Sequence, residues 1–218
     1  MKIKIDIDFK VGKLIRNYIL VDLAVIGAWG FLGPIFPVFV IDRIKGANLA
    51  TVGFAAALYW IIKSLLQLPI ANLLDKIKGE RDDFYALVVS LILGSFSALA
   101  FLAVRSLAAL YFVQIIHAIA FAIYTPAWSG VFSRHLDKER YSFDWSLDST
   151  AIGLASGISG LIGGILAQWF GYNIVFIFTG IFSLSALIFL ITVPKLILPP
   201  PSTEKSVKIL NHRPPAES

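Results

Sequence analysis

Six apolar runs, each about 20 residues or longer, constrain this chain more than any other feature, because a run of that length spans the roughly 30 Å hydrocarbon core of a bilayer as a helix. They cover residues 17–41, 49–74, 84–104, 107–132, 147–170 and 172–193, and each is closed by charge, glycine or proline. Barrel strands are about ten residues of alternating pattern, so the runs predict helices. The connections between them, such as Arg105-Ser106 and Gly171, leave no room for a second folded domain. Composition agrees: 57% of the 218 residues are hydrophobic and 15% charged, too little charge to cover a soluble surface. Zero cysteines exclude disulfides, thiolate metal sites and cysteine nucleophiles.

The basic residues set a direction. Lys2, Lys4, Lys10, Lys13 and Arg16 precede the first run; Lys76, Lys78 and Arg81 follow the second. Arg134, Lys138 and Arg140 follow the fourth, and Lys195, Lys205, Lys208 and Arg213 follow the sixth. Only Arg43, Lys45 and Arg105 fall on the other side. The positive-inside rule therefore puts both termini in the cytoplasm, and the basic excess is a topology signal with no nucleic-acid partner implied. The first run is too long for a signal-peptide core, so it is expected to stay in the mature protein, in the cell membrane. Residues 1–16 form a cytoplasmic segment, 17–193 the bundle, and 194–218 a Pro-rich tail expected to be disordered. Within the first segment, charged residues alternate with Ile3, Ile5, Ile7 and Phe9, a period-two pattern open to a short strand, a surface-lying stretch or a frayed leader.

The expected fold is all-α: a polytopic membrane protein whose six transmembrane helices form two inverted three-helix repeats. Pro34 and Pro37 lie near the end of the first run and Pro126 near the end of the fourth, corresponding positions in two three-span units. Gly27, Gly30 and Gly33 recur at short spacing in the first run, and Gly153, Gly157, Gly160, Gly163 and Gly164 in the fifth. Such faces let helix backbones approach closely in lipid, and they also suit surfaces that slide or hinge.

Charge inside a span is costly, about 2.5–3.5 kcal/mol on insertion scales, and so marks candidate function. Asp22 and Lys63 qualify. Their expected depths differ by roughly 9 Å at the helical rise, a gap that a snorkelling lysine stem narrows, so an Asp22–Lys63 pair is expected. In the fourth run Gln114, His117, Phe121, Tyr124 and Trp128 follow i, i+3 and i+4 spacing and make one stripe, a candidate cavity wall with His117 near mid-membrane. Arg105, Asp144 and Trp145 are expected to be interface anchors, and Asp148 to cap the fifth helix.

Three partial motifs carry a family resemblance. Ala71-Asn72-Leu73-Leu74-Asp75-Lys76-Ile77-Lys78-Gly79-Glu80-Arg81 is similar to the Gly-x-x-x-Asp-Arg/Lys-x-Gly-Arg-Arg/Lys loop of the major facilitator superfamily, with Ala71 in place of the leading glycine. Gln114-Ile115-Ile116-His117-Ala118-Ile119-Ala120 resembles that family's fourth-span segment, with Gln114 where an arginine stands. Ser159-Gly160-Leu161-Ile162-Gly163-Gly164 resembles its Gly-Pro-x-x-Gly-Gly pattern without the proline. Over residues 17–193 the chain thus resembles one six-helix half of such a transporter. The resemblance implies a secondary-active carrier of a small organic solute, working by alternating access without cofactor or metal. It makes Asp75, Lys76 and Arg81 a cytoplasmic charge latch, and places the first and fourth spans at the cavity. It also implies a second six-helix unit, expected here to be a second copy in a parallel homodimer, with protons as one candidate coupling ion. A non-transporting membrane partner is the alternative. Gly157-Ile158-Ser159-Gly160 matches the Gly-x-Ser-Gly of intramembrane serine proteases, but the sixth run has no histidine to serve as base, which argues against an enzyme.

Overall fold

Glycine and proline decide the shape of the first span. In the computed structural model, which describes residues 11–77 and 79–191, that span is two helices, α1 (Lys13–Leu32) and α2 (Phe36–Arg43). Pro34 has no N–H, so the carbonyl of Gly30 loses its helical donor, and Pro37 does the same to the carbonyl of Gly33. The turn is closed by Gly33 N–H donating to Trp29 O and Ile35 N–H to Leu32 O.

The other spans are α3 (Leu49–Lys76), α4 (Arg81–Ala100) with a 3-10 turn at Phe101–Ala103, α5 (Leu107–Arg134), α6 (Tyr141–Phe170) and α7 (Tyr172–Ile191). Among the described residues six helical segments are long and apolar enough to cross a membrane. The third starts on an Asn48–Thr51 capping box, and the fifth on Ser106, whose hydroxyl accepts from Ala109 N–H. Pro69 and Pro126 sit inside α3 and α5 without breaking them. Beside Pro126, the hydroxyls of Thr125 and Ser129 bond back to the carbonyls of Phe121 and Thr125.

The packing is two-fold in pattern. α1 lies against α6 and α7, as α5 lies against α3 and α4, while α4 and α7 meet between them. Exchanging the first three spans for the last three leaves this scheme unchanged, as an inverted repeat requires. Glycine makes the closest approaches. A Cβ on Gly30 would come within 2.8 Å of Ser156 Cα, and one on Gly180 within 2.7 Å of the Leu99 side chain. Two apolar layers fill the interior. One gathers Ile15, Tyr18, Leu87, Phe132 and Leu190, and the other Phe39, Val40, Phe101, Leu110 and Phe176.

α3 and α6 stand at the periphery. Thr51 and Ala55 are the buried residues of α3, and Asp144, Asp148, Ser159 and Gly163 those of α6. Two sequence expectations shift. The first span starts at Lys13 instead of residue 17, and α6 starts at Tyr141 instead of residue 147. The alternating stretch through residue 10, Lys78, and residues 192–218 with the Pro-rich tail lie outside the described residues.

Candidate functional site

The backbones of α1 and α5 scarcely approach one another, and large side chains bridge the gap. At one end the Trp128 indole N–H reaches Tyr18 O at 3.5 Å. Further along, the Tyr124 hydroxyl donates to Asp22 Oδ1 at 2.8 Å. At the far end the Trp29 indole stacks on the His117 imidazole, centroids 3.8 Å apart and planes 4° from parallel. Tyr59 of α3 also packs on that imidazole at 4.4 Å, and Phe121 meets it edge-on at 5.1 Å.

Beside this stack is a cavity of about 280 Å³ whose walls include Trp29, Gly33, Phe36, Tyr59, Trp60, Phe101, Gln114 and His117. Phe36, the first residue of α2 after the break at Gly33-Pro34, is part of the wall. Gln114, buried in α5, donates from Nε2 to Ala55 O at 3.3 Å and meets His117 Nδ1 through Oε1 at 3.2 Å. An amide oxygen only accepts, so this contact calls for the proton on Nδ1. Among the described residues no acidic side chain lines the cavity.

The expected Asp22–Lys63 pair does not form. Asp22 is buried on α1 and takes its hydrogen bond from Tyr124; Lys63 Nζ lies over the Trp60 ring, 5.0 Å from its centroid. The reason is topological: α3 packs chiefly on α5, whereas α1 packs on α6 and α7. The fourth-span stripe is likewise divided. Gln114 and His117 line the cavity, Phe121 backs the aromatic stack, and Tyr124 and Trp128 are buried against α1.

Asp148 is no cap. α6 begins seven residues earlier, and Asp148 is buried, close enough to Asp22 for their charges to interact, with its Oδ1 unpartnered among the described residues. Asp144 is also no interface anchor: it is fully buried and its Oδ2 accepts from Asp137 N–H at 2.8 Å. Trp145 packs edge-on against Phe132 and Trp128, and Arg105 donates to the neighbouring Val104 carbonyl.

The expected latch residues Asp75, Lys76 and Arg81 form no ion pair among the described residues. The charge cluster on that side is built instead by Arg134, which pairs with Asp83 and with Glu80, and by His135 beside Glu80 at 3.4 Å. Arg81 is the exposed first residue of α4, whereas Asp83, two positions on, points inward. Among the glycines, Gly30, Gly160 and Gly163 face the α1–α6 contact, while Gly157 and Gly164 have nothing near them. Pro34 packs beside Gly160, and Pro126 lines a smaller recess with Asp75, Asp83, Ser129 and Gly130.

The sequence reading did not single out Trp29, Tyr59 and Trp60, which lie on the first and second spans and reach the fourth-span stripe only through tertiary packing. Aromatic density near His117 was the available signal.

A family model described as the Major Facilitator Superfamily matches residues 19–217. The chain belongs to that superfamily. An uncharacterised MFS-type transporter of Methanocaldococcus jannaschii is 25% identical over 185 residues, covering 82% of this chain and 45% of its own length. The human voltage-gated purine nucleotide uniporter is 25% identical over 139 residues, covering 62% of this chain and 31% of its own length. The bundle superposes on the POT family transporter PepTSo with a TM-score of 0.67 at 16% identity, covering 88% of this chain and 39% of that one. The chain thus spans less than half the length of the relatives it matches.

Proposed function

We propose that this superfamily member is a secondary-active transporter of a small organic solute, working by alternating access as one of two six-helix bundles in the cell membrane, with both termini cytoplasmic. The observation that carries the reading is the cavity at the α1–α5 gap, where Gln114 and His117 interrupt a wall made mostly of aromatic and aliphatic side chains. Polar groups at membrane depth are retained where a solute or ion passes, and a site between repeats beside a broken helix is the usual arrangement in carriers. The MFS-type relatives support transport, and the human one is named for carrying purine nucleotides, which are organic solutes.

A second copy supplies the other bundle. α3 and α6 bury few of their residues, and Leu68 on one and Leu161 on the other are exposed. Gly53, Gly157 and Gly164 on the same helices meet nothing within 4 Å, leaving room for close approach by another helix. With α3 and α6 of the partner packed there, the two cavities face one central space.

Flux into liposomes containing the purified chain tests transport, with a native mass measurement for the assembly. Because the sequence has no cysteine, single cysteines at Leu68 or Leu161 report contact cleanly. Crosslinked dimers at those positions, but not at exposed Phe96 on α4, are expected. A strictly monomeric mass with no crosslink refutes the homodimer, and failure to move any solute in a broad screen refutes transport.

A further inference from the structure

We infer that the cavity takes an aromatic organic anion: its rings hold a planar group and Lys63 receives the negative charge. The inference rests on the transport reading for its purpose, and on the cavity for its chemistry.

The walls come first. Trp29, Phe36, Tyr59, Trp60 and Phe101 supply five aromatic side chains from α1, α2, α3 and the 3-10 turn. Trp29 already stacks one planar heteroaromatic ring, that of His117, in near-parallel contact. A flat ligand ring finds more faces and edges of the same kind around it. About 280 Å³ is close to the lower end of pockets that hold small organic molecules, so the group is a small ring system.

Charge decides between anion and cation. An aromatic box free of lysine would suit a quaternary ammonium. Here a cation stands next to the wall: Lys63 is not itself a lining residue, but its Nζ lies 5.0 Å from the ring centroid of Trp60, which is. Lys63 has no ion pair among the described residues. Among the described residues no acid lines the cavity to attract a second cation, and Asp22 takes its hydrogen bond from Tyr124. The indole N–H of Trp29 is a buried donor without an acceptor, so the uncommitted groups here are mainly donors. With its proton on Nδ1, a neutral His117 ring offers Nε2 as an acceptor, suited to an N–H or O–H on the ligand ring. A carboxylate or similar oxyanion on an aromatic ring answers all of these groups, whereas a cation answers none of the donors.

The test is equilibrium binding to the purified full chain in nanodiscs, with no gradient applied, using four probes: benzoate, benzamide, phenyltrimethylammonium and cyclohexanecarboxylate. Benzoate is expected to bind more tightly than the other three. Lys63→Gln should weaken benzoate at least about tenfold, the loss of a charge-assisted contact, and leave benzamide unchanged. Lys63→Arg should retain benzoate, and unchanged benzamide binding shows that Lys63→Gln still folds. The inference is overturned if phenyltrimethylammonium or benzamide binds as tightly as benzoate, if Lys63→Gln weakens all probes alike, or if benzoate does not bind at millimolar concentration. Flux is measured separately. Ranked binding without movement across liposomes refutes transport and spares the binding site, while movement of uncharged or cationic solutes alone does the reverse.

Discussion

Replacing Gly163 by alanine puts the α1–α6 contact to a quantitative test. A Cβ built on Gly163 falls well inside van der Waals contact of the Phe31 carbonyl oxygen and 3.0 Å from both Phe31 Cα and its carbonyl carbon. Those atoms are backbone, so no rotamer change relieves the overlap, and the two helices must separate by on the order of 1 Å. That shift also loosens Gly30 from Ser156 and Gly160 from Pro34 along the same seam. Overpacking costs about 1–3 kcal/mol in well-packed interiors, and a backbone-on-backbone overlap belongs at the upper end, about 3 kcal/mol. For a chain of this size a loss of 1 kcal/mol lowers Tm by about 2–4 °C, so Gly163→Ala should melt about 6–12 °C below the parent. The assay is thermal denaturation of the purified protein in one detergent, followed by a tryptophan signal. Gly157→Ala and Gly164→Ala are the controls: nothing lies within 4 Å of either position, so neither should lower Tm. The reasoning is refuted if Gly163→Ala melts within a degree or so of the parent, or if Gly157→Ala melts as low.

Other consequences are open to measurement. Tyr124→Phe removes the 2.8 Å donor from buried Asp22 and should cost about 1–3 kcal/mol; adding Asp22→Asn should recover part of that in a double-mutant thermal cycle. Asp148→Asn should hold or raise Tm, because it relieves two buried carboxylates that feel each other's charge; a fall comparable to that of Tyr124→Phe counts against that picture. Arg134→Gln strips Asp83 of its partner and leaves Glu80 with His135 alone. Since the Arg134 side chain is 42% exposed, the expected loss is about 1–2 kcal/mol, less than for a buried pair, and should shrink with added salt in the same denaturation assay. Gly157→Leu should leave the melting of the single bundle unchanged yet reduce the dimer fraction by native mass measurement, because it obstructs only the free face of α6.

The resemblance read from three weakened motifs led to the family that the whole-chain comparison establishes, and the run lengths located every span. Long-range contacts were harder to read. Asp148 reads as a cap when apolarity alone marks a helix start, because Tyr141, Ser142 and Asp144 look like loop; the helix nevertheless extends through them once Asp144 folds back onto the Asp137 N–H. Asp75 and Arg81 resemble latch residues in a linear motif; what that motif does not announce is the neighbouring cluster, in which the helical register at the start of α4 turns Asp83 inward, toward an arginine 51 positions away.

The sequence by itself determined six helices, an even number that brings both ends of the bundle to one side, and the stripe that places Gln114 and His117 on the same face of α5. Those properties follow from run length and from a fixed helical period, which are local. Only the tertiary structure decided that Asp22 meets Tyr124, that Lys63 stands over Trp60, and that Trp29 and Tyr59 close on His117. Periodicity assigns a residue to a face of its own helix. Which helix that face meets depends on how glycine seams let some backbones approach and bulky side chains hold others apart, and that is settled by the packing of the whole bundle.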